Sequence, residues 1–412
     1  MNNIILNTML SIVLVGLLSA CGGGNSQPPA NNNPPTTEVT FSGIGVNGIF
    51  DPSVAYDPNG QRLWMSYSYV DPSIYFLTDE HLGVSIRLAY SDDAGSSWTD
   101  ADVIVSAFSD ETVGFLPSVN PALNIPASSP GTWQSETSSL IYDANAPLNE
   151  RWKIIWHQYL KAGGTSYFVD YGWIAMKMAA TPAELANATP IKLFGGKFIN
   201  AAGENTATPA FSPIAGPAQI ALDADITNAI SGYNPSELDM CVWAEPGLLA
   251  DSDGLHLVMN CQYLNGQSVD AYVVMFSCPH PCTMTQASNW TYKGRLLTPA
   301  HASAIGHRNY SAAELFQKGS VYYLMVTPVR DVSDEAGYDG CRVYRFDDFT
   351  NASLAPSQGN FVEVLRYDGI QNVHNGACSA HEQMTPGILH SQVRDDTLPV
   401  LFHMYQTNVG IP

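Results

Sequence analysis

Asp51 in "FDPSVAY" and Glu245 in "WAEPGLLAD" invite chemistry by type and setting. Each is followed by proline, a small residue and an aliphatic one, then a turn and a second apolar run. A carboxylate at that point begins a strand that is otherwise apolar, so it is taken out of bulk water. Two such groups on separate strands can divide acid–base work, one kept neutral to protonate a leaving group and the other ionised to activate water. Burial and a neighbouring negative charge raise the pKa of the group that must stay protonated. Glu136, in "SETSSLIYD", stands one residue before a further copy of the pattern. The ordinary alternative for all three is a carboxylate that accepts backbone N–H groups at the start of a strand.

The elements that would position them are strands. Short runs rich in Val, Ile, Tyr and Phe, broken by Gly, Asn, Asp and Pro, fill the chain from residue 40 onward, and helical periodicity is scarce. One pattern recurs, with copies starting at Asp51, Thr137, Glu245, Ala312 and Thr385. Five copies across residues 38–412 give roughly 75 residues each, the size of a four-stranded propeller blade. The fold predicted is therefore all-β, a five-bladed propeller of four-stranded antiparallel blades, in which the first strand of each unit lines the channel. A sixth repeat would have to lie hidden in residues 190–235. The segment "EVTFSGIGV" is predicted to add an outer strand to the last blade and so to remove a sheet edge. Ser91, Asp93, Gly95 and Trp98 are spaced S-x-D-x-G-x-x-W, which resembles the Asp-box of sialidase-like propellers. Its role there is structural: Ser and Asp bond a hairpin turn, Gly supplies a positive φ and Trp packs beneath.

Seventeen basic against 38 acidic residues give a net charge of −21, which repels phosphate backbones and excludes nucleic acid as a partner. The apolar run "MLSIVLVGLLSAC" is too short for a comfortable membrane span and ends in small residues, as an export signal does. "LLSAC" resembles the lipobox of bacterial lipoproteins, although no Lys or Arg precedes the apolar run. The resemblance implies a signal peptide over 1–20, lipidation of Cys21, a flexible tether over 21–37 and a single folded domain over 38–412. With Gly22 after the Cys, it further implies an outer-membrane lipoprotein held to the membrane by its lipid and otherwise a monomer. Six further cysteines suit disulfides in an exported chain. Cys278 and Cys282 in "CPHPC" have no second zinc half-site, so a local bridge is predicted there.

Around the carboxylates the chain resembles the five-bladed propeller glycoside hydrolases of family 43, which include arabinofuranosidases, xylosidases and arabinanases. "DPSV" resembles that family's D-P-x-[VI] with its general base, and "EPGLL" its E-G-P-x-[IV] with its general acid, the order of Gly and Pro being reversed. The resemblance implies hydrolysis of a poly- or oligosaccharide with Asp51 as base, Glu245 as acid and Glu136 in place of the carboxylate that modulates the acid. In this sequence Glu245 falls on the third unit, one earlier than expected for the acid.

A sugar needs convergent donors and acceptors. His307, Arg308, Tyr310 and Glu314 in "GHRNYSAAEL", and His381 and Glu382 in "CSAHEQMTPG", are predicted to supply them from loops on the face that holds Asp51. Trp133 and Trp243 are candidates to stack on a sugar, with core packing as the alternative. No cofactor is expected. The alternative for His307 or His381 is a place beside a channel cation such as calcium, although that ion prefers oxygen ligands.

Two other functions fit the same scaffold. A noncatalytic glycan-binding lipoprotein would hold its carboxylates splayed or salt-bridged. A sialidase would need an arginine cluster, for which Arg87, Arg308 and Arg342 are the candidates, and its F/Y-R-I-P motif is absent.

Overall fold

Strands with one apolar face each must stack to bury it, and here they form five antiparallel sheets arranged as the blades of a propeller. The computed structural model describes residues 36–408, apart from 46–47, 77–80, 111–130, 163–167, 196–197, 200–204, 207–218, 222–228, 240, 266–267, 331–337, 358–359, 369–374, 385–386 and 394–401. Cys21, the signal segment and most of the tether lie outside the described residues. Inner strands run over Ile49–Asp57, Gly131–Tyr142, Val242–Ala250, Asn309–Lys318 and Asn375–Ser379 in blades 1 to 5. Each pairs with the strand that follows it, and the sheet continues outward.

Between consecutive blades lie separate apolar cores. Trp133, Trp152, Trp156 and Trp173 fill the layer between blades 1 and 2, and Ile155, Ile174, Leu257 and Val274 the layer between blades 2 and 3. Val258, Leu315 and Leu324 join blades 3 and 4. Met325, Val343 and Ile388 join blades 4 and 5, and Met65, Leu389 and Met404 close the ring between blades 5 and 1.

The N-terminal segment closes the ring, but the strand it adds to the last blade lies ahead of most of "EVTFSGIGV", whose own strand joins blade 1 instead. Thr36–Glu38 pairs antiparallel with Phe402–Thr407 as the outer strand of blade 5. Thr40–Ser42 then pairs parallel with Ser97–Thr99 at the edge of blade 1. Seven residues, 36–42, thus span the seam on both sides and cover two sheet edges.

The fifth repeat is one strand out of register with the prediction. Ile388–Val393, read from sequence as the core of the inner strand, is the second strand of blade 5, and the inner strand is Asn375–Ser379. This moves His381 and Glu382 from the beginning of the inner strand to just beyond its end.

The hairpin at Ser91 is held by its own side chains. Ser91 Oγ accepts the Gly95 N–H at 2.9 Å, Asp93 Oδ1 accepts the Ser97 N–H at 2.9 Å, and Trp98 Nε1 donates to the Gly95 carbonyl at 3.1 Å. Gly95 has φ +93°, which an L side chain rarely adopts. Disulfides join Cys278 to Cys282, as predicted, and also Cys241 to Cys261 and Cys341 to Cys378.

Candidate active site

The inner strands share one irregularity near their beginnings. The register of each with its neighbour slips between Phe50 and Ser53, Glu136 and Ser138, Ala244 and Gly247, Ser311 and Glu314, and Asn375 and Cys378. In the first four blades the bulge holds a non-glycine residue in the left-handed region: Asp51 at φ 49°, Thr137 at 48°, Glu245 at 50° and Ala312 at 47°. Such a bulge turns one side chain out of the ladder's alternation, and the conformation costs roughly 1–2 kcal/mol for an L residue. Proline follows at 52 and 246, where its missing N–H removes no ladder bond. The reversed order after Glu245 also has a cause. A Cβ on Gly247 would come within 2.2 Å of the Ala313 carbonyl oxygen of blade 4.

At the bulges of blades 1 and 3 the side chain is a carboxylate met by donors from other blades. Asp51 Oδ2 accepts Thr137 Oγ1 of blade 2 at 3.0 Å and, more weakly, Ser68 Oγ at 3.5 Å. The Ala377 N–H of blade 5 also donates to the Asp51 carboxylate. Glu245 Oε2 accepts Asn260 Nδ2 at 2.7 Å, the Ala312 N–H at 2.7 Å and the Ser311 hydroxyl. Those donors all meet one oxygen, so a proton on this carboxyl belongs on Oε1.

Burial first, and then the charge of Glu245, pushes the Asp51 carboxyl up to about 7 against those hydrogen bonds. Burial likewise raises Glu245, opposed by Ser311 and Ala312. Groups this coupled titrate as a pair. The negative charge of Glu245 thus adds to burial in opposing ionisation of Asp51. Asp51 remains partly open to solvent, and Glu245 is buried.

Glu136 is buried one residue before the bulge, where Thr137 takes the position equivalent to Asp51 and Glu245. It hydrogen-bonds Tyr159, whose phenol is held far above its ordinary pKa by burial and by Glu136. Tyr338 is pushed up similarly, by burial and then by Glu245, Glu136 and Asp51, while Ser311 hydrogen-bonds it. Three carboxylates and two phenols therefore share one end of the channel. Neither tyrosine was foreseen. Tyr159 stands in an ordinary second strand, and Tyr338 reaches the site from the far side of a long connection, so no local pattern marks either.

Among the other predicted contacts, His307 and Arg308 lie at this end, just before the inner strand of blade 4. His307 Nε2 bonds Asp339 Oδ2 at 2.8 Å, and Arg330 donates to the same carboxylate at 2.7 Å. Against the upward push of burial, these partners hold Asp339 at about 2. Arg308 faces Asp270 at 3.7 Å. Tyr310 belongs to the core instead, its hydroxyl 2.9 Å from that of Tyr344. Trp133 and Trp243 are also core residues, packed on Trp173 and Phe276 respectively. Both are buried between blades among other rings, which leaves them no open face.

Glu314 lies deeper in the channel, two positions past the bulge, on the level of Ser53, Ser139, Gly247 and Ser379. Its Oε1 accepts Ser53 Oγ at 2.9 Å and Ser379 Oγ at 3.2 Å. Ser53, Ser139 and Ser379 in turn accept the N–H groups of Leu140, Leu248 and Val54 from neighbouring blades. His381 and Glu382 lie at the opposite mouth from Asp51, beyond the inner strand's end.

The arginines proposed for a sialidase do not converge. Arg87 is bound to Asp100 at 2.6 Å, Arg342 is buried with Asp368 at 2.7 Å, and Arg308 keeps its place by Asp270. Among the described residues no group of three or more His, Cys, Asp and Glu is arranged to hold a metal ion. His381 fits one poorly, because its Nδ1 accepts the Gln383 N–H and its proton is then on Nε2.

No protein-family model matches the sequence, and no curated protein matches it. Solved structures do resemble the fold. A thermostable family-43 glycoside hydrolase is 10% identical, with 91% of this chain and 98% of that one covered at a TM-score of 0.45. A family 117 glycoside hydrolase of the marine bacterium Zobellia galactanivorans is also 10% identical, covering 92% and 90% at 0.44. The arabinanase Arb43A of Bacillus subtilis is 12% identical, covering 87% and 94% at 0.44. At these values the likeness concerns the path of the chain, and chemistry has to be argued from the residues.

Proposed function

We propose that this protein is a glycoside hydrolase that cleaves a poly- or oligosaccharide at the end of the channel holding Asp51 and Glu245. The observation that carries the reading is the pair itself. Two carboxylates occupy equivalent left-handed bulges on nonadjacent inner strands, held by donors from other blades and close enough for one charge to raise the other's pKa. In a coupled pair with one proton, one member can give a proton while the other takes one. Glu245, the more buried, donates its Oε1 proton to the leaving oxygen as the glycosidic C–O bond breaks. Ionised Asp51, open to solvent, takes a proton from the water whose oxygen bonds to the anomeric carbon. Glu136 and the Tyr159 and Tyr338 phenols adjust the field around both.

The test is release of reducing ends from plant and algal polysaccharides by the full chain, beside Asp51→Asn and Glu245→Gln. Each variant should lose about 10²–10⁴-fold. On an aryl glycoside whose leaving group needs no proton, Glu245→Gln should regain most activity and Asp51→Asn should not. Saturable glycan binding without turnover would replace hydrolysis by the noncatalytic glycan-binding function. Activity surviving both substitutions would exclude these residues.

The reading includes a lipid-anchored, monomeric protein at the outer membrane, with Cys21 as the modified residue. Fatty-acid labelling lost in Cys21→Ser checks the anchor. The Ser91–Trp98 hairpin is interpreted as an Asp-box that serves the blade and takes no part in the reaction.

A further inference from the structure

We propose that the channel mouth opposite Asp51 is a second binding site, for a neutral hydroxyl-rich ligand the size of one sugar unit, organised by Glu314 and His381. A cavity of about 260 Å³ opens there between the ends of all five inner strands, with Tyr56, Tyr142, Leu249, Glu314, Gln317 and His381 among the residues that line it. Cavities for drug-sized ligands run from about 300 to 1,000 Å³, so this one suits a single small unit rather than a chain.

Glu314 is 91% buried, since its exposure is 9%, and its Oε2 has no hydrogen-bond partner among the described residues. A buried polar atom left so is costly unless something fills its place. Its other oxygen is already fixed by Ser53 and Ser379, so the side chain cannot turn away without giving those bonds up.

The chemistry of the lining favours a neutral polyol over an ion. His381 accepts the Gln383 N–H at Nδ1 and so offers an Nε2–H donor, which disfavours a cation. Glu314 disfavours an anion whenever it is ionised. Burial pushes its carboxyl up to about 8, so near neutrality it is mostly protonated and offers a hydroxyl donor as well. Burial also pushes the His381 ring down to about 4, leaving it neutral. Tyr56, its ring centroid 6.3 Å from that of His381, supplies an aromatic wall. Donors beside an aromatic surface are what a sugar ring with hydroxyl edges and C–H faces requires. The site does not depend on the hydrolytic reading, because none of these groups lies at the Asp51 mouth.

Calorimetric titration of the full chain with L-arabinose, D-xylose and D-galactose, and separately with calcium chloride, tests the proposal. At least one sugar should bind saturably. His381→Ala, beyond the inner strand of blade 5, and Tyr56→Leu, near the end of the inner strand of blade 1, should each weaken that binding about tenfold, the scale of one lost hydrogen bond or wall. Polysaccharide hydrolysis should stay unchanged in both. Absence of saturable sugar binding, sugar binding unaffected by both substitutions, or binding of calcium alone would each overturn it. Loss of hydrolysis in Asp51→Asn with sugar binding retained would keep the two sites separate.

Discussion

Blades 1 and 3 differ from blades 2 and 4 in the side chain that the channel bulge carries. All four bend their inner strand through the same left-handed bulge, but blades 1 and 3 put Asp51 and Glu245 there, whereas blades 2 and 4 put Thr137 and Ala312. The strained backbone is thus a property of the repeat, and the chemistry is a choice of side chain laid on it. The two kinds of blade also serve each other. Thr137 Oγ1 donates to Asp51, and the Ala312 N–H donates to Glu245. A blade without a carboxylate at its bulge supplies a donor to the bulge carboxylate of its neighbour.

The strongest way to break this comparison is to remove the acid groups while keeping their shape. Asp51→Asn and Glu245→Gln should each cost about 10²–10⁴-fold in kcat/KM. The double variant should cost little more than the worse single one, because the two act in one step. Full additivity would mean that they work in separate events and that the resemblance between blades 1 and 3 is only architectural.

A second contrast sets blade 4 against blade 3 two positions past the bulge, where Glu314 faces glycine at 247. The folded protein holds the Glu314 proton up to about 8, whereas an unfolded chain releases it near the ordinary 4.5. Between those values the folded state binds more protons, so stability declines as pH rises, by about 1.4 kcal/mol per unit. Glu314→Gln removes that dependence. Relative to the parent, it should gain stability steadily from about pH 5 to pH 8 in denaturant unfolding. A constant difference across the range would show that Glu314 is ionised in the folded state and that its free oxygen finds a partner.

Much of the first contrast can be read in the sequence. The copies starting at Asp51, Thr137, Glu245 and Ala312 each begin on the very residue that is left-handed, and each has an aliphatic three residues on that packs between blades. The fifth copy misled for a physical reason. Its true inner strand, "NGACS", is short and is followed by Ala380 where the others have Val54, Leu140, Leu248 and Leu315, while the sequence "TPGIL", whose Ile388 and Leu389 open the next strand, imitates the motif. The resulting one-strand slip carried His381 and Glu382 to the wrong mouth. Trp133, Trp243 and Tyr310 misled for another reason: an aromatic at the start of an inner strand packs between blades as readily as it faces a ligand. Tyr159 and Tyr338 were illegible because their closeness to the carboxylates is set by strand pairing within blade 2 for Tyr159 and by tertiary contacts for Tyr338, which leave no trace in local spacing.

Thr137 sharpens the claim that one blade supports another. Thr137→Ala removes a hydrogen bond that lowers the Asp51 pKa, so that carboxyl should move above about 7. A base must be ionised to act. The acidic limb of the kcat/KM profile should therefore shift to higher pH, by up to about one unit, a loss of roughly tenfold below neutrality that fades in alkali. An unmoved limb with a uniform loss would make Thr137 a packing residue and leave blade 2 outside the chemistry.

The smallest effect is expected at Ala312, where strain is present without a side chain that needs it. An L residue in this region costs about 1–2 kcal/mol, and glycine removes that cost while adding about 0.5–1 kcal/mol of backbone entropy. Ala312→Gly should therefore stabilise the protein by roughly 0.5–1 kcal/mol, seen as a raised unfolding midpoint in denaturant with the slope unchanged. The glycine still carries the N–H that meets Glu245, so the comparison among blades is tested without deleting a donor. A loss of stability instead would mean that the Ala312 methyl group packs well enough to outweigh the strain. The bulge would then be held by side-chain contacts in blade 4 and by the shared backbone geometry elsewhere.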